Sequence, residues 1–139
     1  MADPHNLERF VQAQNPVYAQ VCAELAAGMK TSHWMWFVFP QLKGLGRSAT
    51  ARHFSIASRE EAEAYWQHAL LGARLKECTE LVLAVRCRTA LQILGSPDDL
   101  KLHSSLTLFA RVATDEFVFQ RALDRYFGGK CDARTLELL

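Results

Sequence analysis

The stretch LGARLKECTELVLAV, residues 71–85, carries the clearest structural pattern in the chain. Its apolar side chains recur every three or four residues, which is the spacing of one helix face. These residues are Leu71, Leu75, Cys78, Val82 and Val85. Charged side chains such as Arg74 and Glu77 fall on the opposite face. The stretch therefore predicts an amphipathic α-helix with one face packed against a core.

The same periodicity, together with helix-end residues, predicts further helices on both sides. They cover residues 7–14, 17–29, 58–66, 97–113, 114–127 and 133–139. Ser58, Ser96 and Asp132 are typical N-caps, whereas Gly28 and Gly128 are typical of helix ends. We therefore expect an all-α, mostly helical bundle of about six to seven helices. It forms a single domain over residues 1–139, with residues 1–6 as a flexible tail.

One segment, residues 33–46, does not follow the helical pattern. HWMWFVFP, residues 33–40, is almost entirely aromatic or aliphatic, and glycines follow at positions 44 and 46. Neither the helical nor the alternating period accounts for it. We expect irregular backbone or a short extended piece here.

Composition excludes several classes of protein. The formal net charge is +1, which makes nucleic acid an unlikely partner because phosphate binding requires a basic face. No run approaches the ~18 apolar residues of a membrane span, and the N-terminus lacks the features of a signal peptide. The four cysteines are widely spaced, as expected of buried thiols in a reducing compartment. We therefore expect a cytoplasmic protein without membrane contact.

The first candidate site lies in the irregular segment. His33, Trp34, Trp36 and Gln41 combine flat apolar surface with polar edges, which suits the stacking of a planar ligand. Glycine lets backbone amides approach an anion, and the segment has two such positions, Gly44 and Gly46. The structural alternative is that the aromatic residues fill the core and the glycines shape a turn.

The second candidate site lies at the start of the predicted helix over residues 97–113. Asp98, Lys101 and Ser105 share one helix face because they stand at i, i+3 and i+7, and Ser104 is adjacent. Such a face can orient a hydroxyl or phosphate group, and a carboxylate on it can act as a general base. The structural alternative is a solvated first turn with an exposed ion pair.

Motifs of other chemistries are missing from the sequence. It contains no Gly-x-Ser-x-Gly elbow, phosphate loop or His-Glu-x-x-His helix. Cysteines in closely spaced pairs, as in structural zinc sites, are also missing. We therefore expect a site without metal or cofactor.

The two candidate segments also carry a resemblance. The sequences HWMWFVFPQ (33–41), GLG (44–46) and DDLKLHSS (98–105) resemble a bacterial family catalogued as domain of unknown function number 1810. Leu71-Gly72 and Arg74-Leu75 match it as well, and the match runs from about Leu7 to Leu139; Ala69 stands where the family usually has proline. Members are often misnamed calpastatin, a disordered inhibitor that so apolar a chain does not resemble. The resemblance implies an all-helical fold and no established activity.

A more distant similarity points to the ADP-ribose-processing NADAR family. It rests on the order of features: an aromatic N-terminal region, then His68-Ala-Leu-Leu-Gly72, then an aspartate near Ile93-Leu-Gly95. That family is linked to cleavage of N-glycosidic bonds in NAD- and ADP-ribose-type molecules. Its Glu-His motif has no counterpart here, because Ser32 precedes His33. The similarity therefore assigns no catalytic glutamate.

Two functions are compatible with these features. The first is a site for a nucleotide or ADP-ribose-type small molecule, with or without hydrolysis, formed by segments 33–46 and 98–107. In it Trp34 or Trp36 stacks on a base, Lys101 neutralises phosphate, and His33 or Asp98 handles a proton. The alternative is a non-catalytic module that binds a protein partner, of unknown identity, through an aromatic surface patch.

Overall fold

A computed structural model describes residues 3–139, and in this part of the chain the regular structure is helical. Ten helices are present there, in chain order α1 (Glu8–Gln14), α2 (Tyr18–Ala27), α3 (Met35–Val38), α4 (Ala49–His53), α5 (Arg59–Gln67), α6 (Ala69–Ala84), α7 (Ala90–Leu94), α8 (Asp98–Val112), α9 (Val118–Phe127) and α10 (Ala133–Leu138). The all-α prediction is confirmed. The additional helices are mostly short: α3, α4 and α7 have four or five residues each. None of the described helices is long and apolar enough to cross a bilayer.

Two long helices organise the core. α6 packs against α2, α5 and α9, and α8 packs against α5, α7, α9 and α10. The predicted apolar stripe of α6 is buried along its whole length, from Leu71 to Val85. α8 lies against both α7 and α10, and Ser104 in its second turn contacts Asp132, the N-cap of α10. This arrangement places the second candidate segment beside other elements rather than in open solvent.

A series of aromatic rings links the helices across the core. Phe10 of α1 meets Tyr65 of α5 edge to face, with ring centroids 5.0 Å apart. Tyr65 lies 5.4 Å from Phe109 of α8, which in turn lies 5.9 Å from Phe119 of α9. Each such pair contributes about 0.5–1.5 kcal/mol beyond the burial of its area. The rings therefore fix α1 and α5 against α8.

A buried amide connects this core to the irregular segment. Gln14 of α1 donates from Nε2 to the carbonyl oxygen of Phe37 (2.6 Å) and to the Tyr65 hydroxyl (3.1 Å). Its Oε1 accepts from Arg74 of α6 at 3.3 Å. Buried polar groups that are fully hydrogen-bonded favour one geometry. Gln14 thus anchors α3 and the segment around it.

Residues 33–46 are mostly irregular, as predicted, and contain two short pieces of regular structure. Met35–Val38 form one helical turn, and extended pairing is limited to one parallel bridge between Leu42 and Ile56. The Ile56 N–H donates to the Gln41 carbonyl oxygen at 2.9 Å, and the Lys43 N–H donates to the Ile56 carbonyl oxygen at 2.8 Å. A single turn is too short to produce a helical period in sequence.

The predicted helix ends are partly confirmed. Ser58 and Asp132 cap α5 and α10, and Gly28 and Gly128 end α2 and α9 in the left-handed region. Two predicted helix starts are wrong. The N-cap of α8 is Pro97, which follows a cis peptide bond, and not Ser96. The helix predicted from residue 114 begins instead at Val118, where Glu116 accepts the backbone N–H groups of Phe117 and Val118.

The flexibility predicted for residues 1–6 stays a prediction. Residues 1 and 2 lie outside the described part of the chain. Asp3 accepts the backbone N–H groups of Leu7 and Glu8 at 2.9 and 3.0 Å, and these hydrogen bonds hold its pKa below the ordinary value. Arg9 donates to the carbonyl oxygens of His5 and Asn6. Residues 3–6 therefore have defined contacts with the start of α1.

Candidate functional site

The two candidate segments meet at the first turns of α8. They line two adjoining clefts that share Pro97 and Lys101. The first, here the aromatic cleft, has a volume of about 350 Å³ and is lined by Lys30, Thr31, Ser32, His33, Met35, Trp36, Leu94, Ser96, Pro97, Asp98 and Lys101. The second, here the arginine cleft, has about 470 Å³ and is lined by Gln41, Leu45, Gly46, Arg47, Ser48, Ala51, Pro97, Leu100, Lys101, Ser104, Asp132 and Arg134. Both volumes are typical of sites for small molecules.

Charged groups in the aromatic cleft pair with one another. The Asp98 carboxylate lies between two ammonium groups, with Oδ2 at 2.8 Å from Lys30 Nζ and Oδ1 at 3.6 Å from Lys101 Nζ. The Lys30 side chain is only 7% exposed, so it depends on this partner. Lys101 also lies 5.0 Å from the centre of the Trp36 ring, as in a cation–π contact. His33 lines the same cleft and is exposed.

The two tryptophans predicted to stack on a ligand occupy different environments. Trp36 is half-buried and lines the aromatic cleft. Trp34 is 1% exposed, and its indole Nε1 donates to Glu24 Oε1 at 2.9 Å. Trp34 therefore belongs to the core, in agreement with the alternative interpretation that the aromatic residues of this segment fill the core. Trp36 is the tryptophan whose ring borders the cleft.

Glu24 of α2 is a residue that the sequence analysis missed. Its carboxylate, 4% exposed, accepts the backbone N–H groups of Thr31 (2.8 Å) and Ser32 (3.1 Å) and the Trp34 indole N–H. It also accepts from the Ser32 hydroxyl and from Gln20. Burial alone raises the pKa of Glu24, but these hydrogen bonds outweigh it and hold the pKa far below the ordinary value. The carboxylate therefore fixes the loop that forms one wall of the aromatic cleft.

A signal for Glu24 was present in the sequence. It stands three residues after Val21 and next to Leu25, both of which lie on the apolar stripe of α2. A carboxylate on the buried face of a helix needs hydrogen-bond donors from elsewhere in the fold. The position of these donors in the following loop was not evident from the spacing.

Cationic side chains dominate the arginine cleft. Arg47, Lys101 and Arg134 line it together with one acid, Asp132. The Asp132 carboxylate is engaged by α10, because Oδ2 accepts from the Thr135 backbone N–H at 3.0 Å and from the Thr135 hydroxyl at 2.6 Å. Ser104 also contacts this oxygen, at 3.3 Å. The cleft therefore offers a surplus of positive charge.

Besides Trp34, two further predicted ligand residues lie away from the clefts. Ser105 is 1% exposed, and its Oγ has no hydrogen-bond partner among residues 3–139. Gly44 has a φ of +101° and lines neither cleft, and its neighbour there is the Leu138 side chain. A φ in this region favours glycine, which accounts for Gly44 by backbone geometry. The remaining candidates are His33, Trp36, Gln41, Gly46, Asp98, Lys101 and Ser104, which all line one or both clefts.

Gly46 has a packing reason to be glycine. A Cβ atom at this position would lie 2.5 Å from the Ala51 Cβ and 3.2 Å from Gln41 Nε2. Ala51 is a buried residue of the short helix α4, so its methyl group cannot move aside easily. The close approach of the loop to α4 sets the position of the adjacent Arg47 in the arginine cleft.

We expect Gly46→Ala to destabilise the protein by about 1–3 kcal/mol, the usual range for overpacking. Ala51→Gly alone is expected to cost about 1 kcal/mol, because glycine is unfavourable within a helix. In the double variant the clash is removed, so its loss of stability should be clearly smaller than the sum of the two. Urea denaturation of the four proteins measures this coupling. Strictly additive losses would show that the contact does not constrain the loop.

Outside the two clefts, titratable side chains of the described residues also cluster where α2 meets α6, at Tyr18, Cys22, Glu77 and Cys78. No group of three or more His, Cys, Asp or Glu side chains in residues 3–139 is placed to hold a metal ion. Cys78 is buried beside Tyr18 and Cys22, and burial raises the pKa of its thiol to about 12. A thiol in such surroundings is a poor nucleophile.

Comparison with known proteins adds a family and a fold. The family described as "Protein of unknown function (DUF1810)" matches residues 4–139. The crystal structure of the conserved hypothetical protein Rv1873 from Mycobacterium tuberculosis is 57% identical in sequence and superposes with a TM-score of 0.97. The match covers 99% of this chain and 98% of that one. No curated protein matches the chain significantly.

Proposed function

The chain belongs to this family, whose description assigns no activity, and we propose that it binds a nucleotide or ADP-ribose-type small molecule across the two clefts. The observation that carries the proposal is the position of Lys101. Its ammonium group lies above the Trp36 ring, and its side chain lines both clefts. An aromatic ring and a cationic cleft are thus adjacent. A base attached to phosphate can use this combination, because the ring can stack on the base and the cations can bind the phosphate oxygens.

Burial favours this proposal over a protein-interaction module. The alternative requires the aromatic residues of segment 33–40 to form an exposed apolar patch. Trp34, Met35, Val38 and Phe39 are each at most 2% exposed. Trp36 is half-buried in a concave surface that also contains charged groups. A concave, polar-lined surface is typical of small-molecule sites.

Hydrolysis is the second part of the proposal. His33 and Asp98 both line the aromatic cleft. The glycosidic bond next to a base stacked on Trp36 would lie in the same cleft. One of these two residues would accept a proton from a water molecule whose oxygen bonds to the anomeric carbon of the ribose, while the bond from that carbon to the base breaks. In NAD the base leaves as neutral nicotinamide, so the departing group needs no further proton. Incubation with NAD, followed by chromatography for nicotinamide and ADP-ribose, tests this part. If NAD binds and stays intact, the protein binds its ligand without hydrolysing it.

A thermal-shift screen against ADP-ribose, NAD, AMP and adenosine tests binding. A ligand that binds only the folded state adds about 2.7 kcal/mol of stability at a hundredfold excess over its Kd. We expect at least one of these compounds to raise the Tm. Trp36→Ala and Lys101→Gln should each weaken binding by about tenfold or more, since base stacking and charged hydrogen bonds contribute on the order of 1–3 kcal/mol.

Matched controls separate the site from the rest of the surface. Phe117→Ala removes an aromatic side chain that is 73% exposed, and Lys130→Gln removes an exposed cation; neither residue lines the clefts. Both should leave the ligand-induced shift unchanged. For Asp98 the suitable variant is Asp98→Asn, because alanine would leave the buried Lys30 without a partner. No shift with any of the four compounds would refute the proposed function.

A further inference from the structure

We propose that the arginine cleft is the subsite for a diphosphate group, with Arg47 and Arg134 as its principal ligands, and that the base occupies the aromatic cleft. This inference rests on the proposed function and specifies its ligand class as a nucleoside diphosphate or its ester. Neither arginine was singled out by the sequence, because they stand far apart in it. The fold brings them to one cleft, together with Lys101.

The two clefts differ in their charge. In the aromatic cleft, Lys30 and Asp98 form a close ion pair of 2.8 Å that is largely shielded from solvent, so their charges compensate each other. The arginine cleft is lined by Arg47 and Arg134, by Lys101, which also lies 3.6 Å from Asp98, and by a single acid of its own, Asp132. The oxygen Oδ2 of that acid already accepts hydrogen bonds from Thr135 and Ser104. A dianion is therefore attracted to the arginine cleft rather than to the aromatic cleft.

The two guanidinium groups of the arginine cleft are available to a ligand. Arg47 and Arg134 are exposed, and within residues 3–139 neither makes a side-chain hydrogen bond or an ion pair. By contrast, Arg9 and Arg74 are committed to partners inside the protein. A guanidinium group presents a planar set of donors that matches two phosphate oxygens. Two such groups and one ammonium group can engage the two linked phosphates of a diphosphate.

The position where the two clefts join determines the orientation of the ligand. Lys101 and Pro97 line both clefts, so a ligand that fills both must pass Lys101. In ADP-ribose and NAD the diphosphate follows the base and its ribose. With the base against Trp36, the phosphates come after Lys101, on the side of Arg47 and Arg134. The opposite orientation would place the dianion beside the Lys30–Asp98 ion pair, whose charges compensate each other, and away from Arg47 and Arg134, so its attraction to the protein would be weaker.

Isothermal titration with four probes tests this assignment: ADP-ribose, AMP, adenosine and inorganic pyrophosphate. The variant is Arg47→Gln/Arg134→Gln, and the matched control is Arg52→Gln/Arg121→Gln, which removes two exposed arginines that do not line the clefts. We expect the double variant to lose affinity for ADP-ribose by at least thirtyfold and for AMP by less. Its affinity for adenosine should change by less than twofold. Trp36→Ala should weaken adenosine and ADP-ribose alike.

The outcomes distinguish the two proposals. If adenosine and ADP-ribose lose affinity equally in the arginine variant, or if neither does, the diphosphate assignment is overturned while nucleotide binding stands. If only pyrophosphate binds, and its binding disappears in the arginine variant, the diphosphate subsite stands and the nucleotide proposal fails. If the wild-type protein binds none of the four probes, both are refuted.

Discussion

Replacing Glu24 by alanine is expected to destabilise the fold by about 3–5 kcal/mol, as does the loss of one partner in a buried charged network. The carboxylate accepts hydrogen bonds from Thr31, Ser32, Trp34 and Gln20, and three of these residues belong to the loop after α2. Alanine leaves the loop donors without an acceptor, and each donor that stays buried costs about 1–3 kcal/mol.

Glu24→Gln serves as the graded variant and Glu63→Ala as the control. Glutamine keeps one carbonyl oxygen as an acceptor, so its loss of stability should lie between those of wild type and Glu24→Ala. Glu63 also lies on a helix, but its side chain is 49% exposed in a surface ion pair, which contributes little. Urea denaturation measures the series. Equal stability of Glu24→Ala and Glu63→Ala would contradict the role of Glu24 as an anchor.

The pH dependence of stability gives an independent check on Glu24. Its folded-state pKa is held below the ordinary value of 4.5, so its contribution is complete above that value and is lost as pH falls towards the folded-state pKa. The difference in stability between wild type and Glu24→Gln should therefore shrink in acid below about pH 4.5. A difference that grew on acidification would show that the folded state raises the pKa instead.

The long helices could be predicted from the sequence for a physical reason. The stripe from Leu71 to Val85 spans four turns, and burial of each apolar side chain reinforces the same 3.6-residue period. Short helices such as α3 and α7 contain too few turns for a period to emerge. They are held by contacts with the rest of the fold, for example the hydrogen bond from Gln14 to Phe37. Such contacts are not encoded in local spacing.

Only part of the candidate site could be predicted from the sequence. Residue chemistry singled out His33, Trp36, Asp98 and Lys101, which line one cleft. It did not separate Trp34 from Trp36, because the distinction depends on Glu24, ten residues before Trp34 and on another element. Arg47 and Arg134 were missed because only the packing of α10 beside α8 brings them to the same cleft. Nucleotide binding and the similarity to NADAR proteins remain predictions for the experiments above.

The second large effect is expected for Gly72→Ala, at the corner between α5 and α6. A Cβ atom on residue 72 would lie 2.1 Å from the backbone oxygen of Trp66. His68 alone joins the two helices, and its Nδ1 accepts the first free N–H groups of α6, from Leu70 and Leu71. The corner is therefore too tight to absorb a methyl group by a side-chain movement. One of the two helices must shift.

The expected loss of stability for Gly72→Ala is about 3 kcal/mol or more, the upper part of the range for overpacking, although alanine is intrinsically the better helix former by about 1 kcal/mol. Gly128→Ala is the informative control, because Gly128 has a φ of +63° and open space around it. That variant carries only the strain of the left-handed conformation, of order 1–2 kcal/mol. If Gly72→Ala proved as stable as wild type in urea, the helix propensity of alanine would outweigh the clash, and α5 and α6 would not be locked at this corner. A loss well beyond that of Gly128→Ala would instead identify Gly72 as the residue that permits the two helices to approach so closely. The need for this close approach explains why glycine follows Leu71 in the first turn of α6.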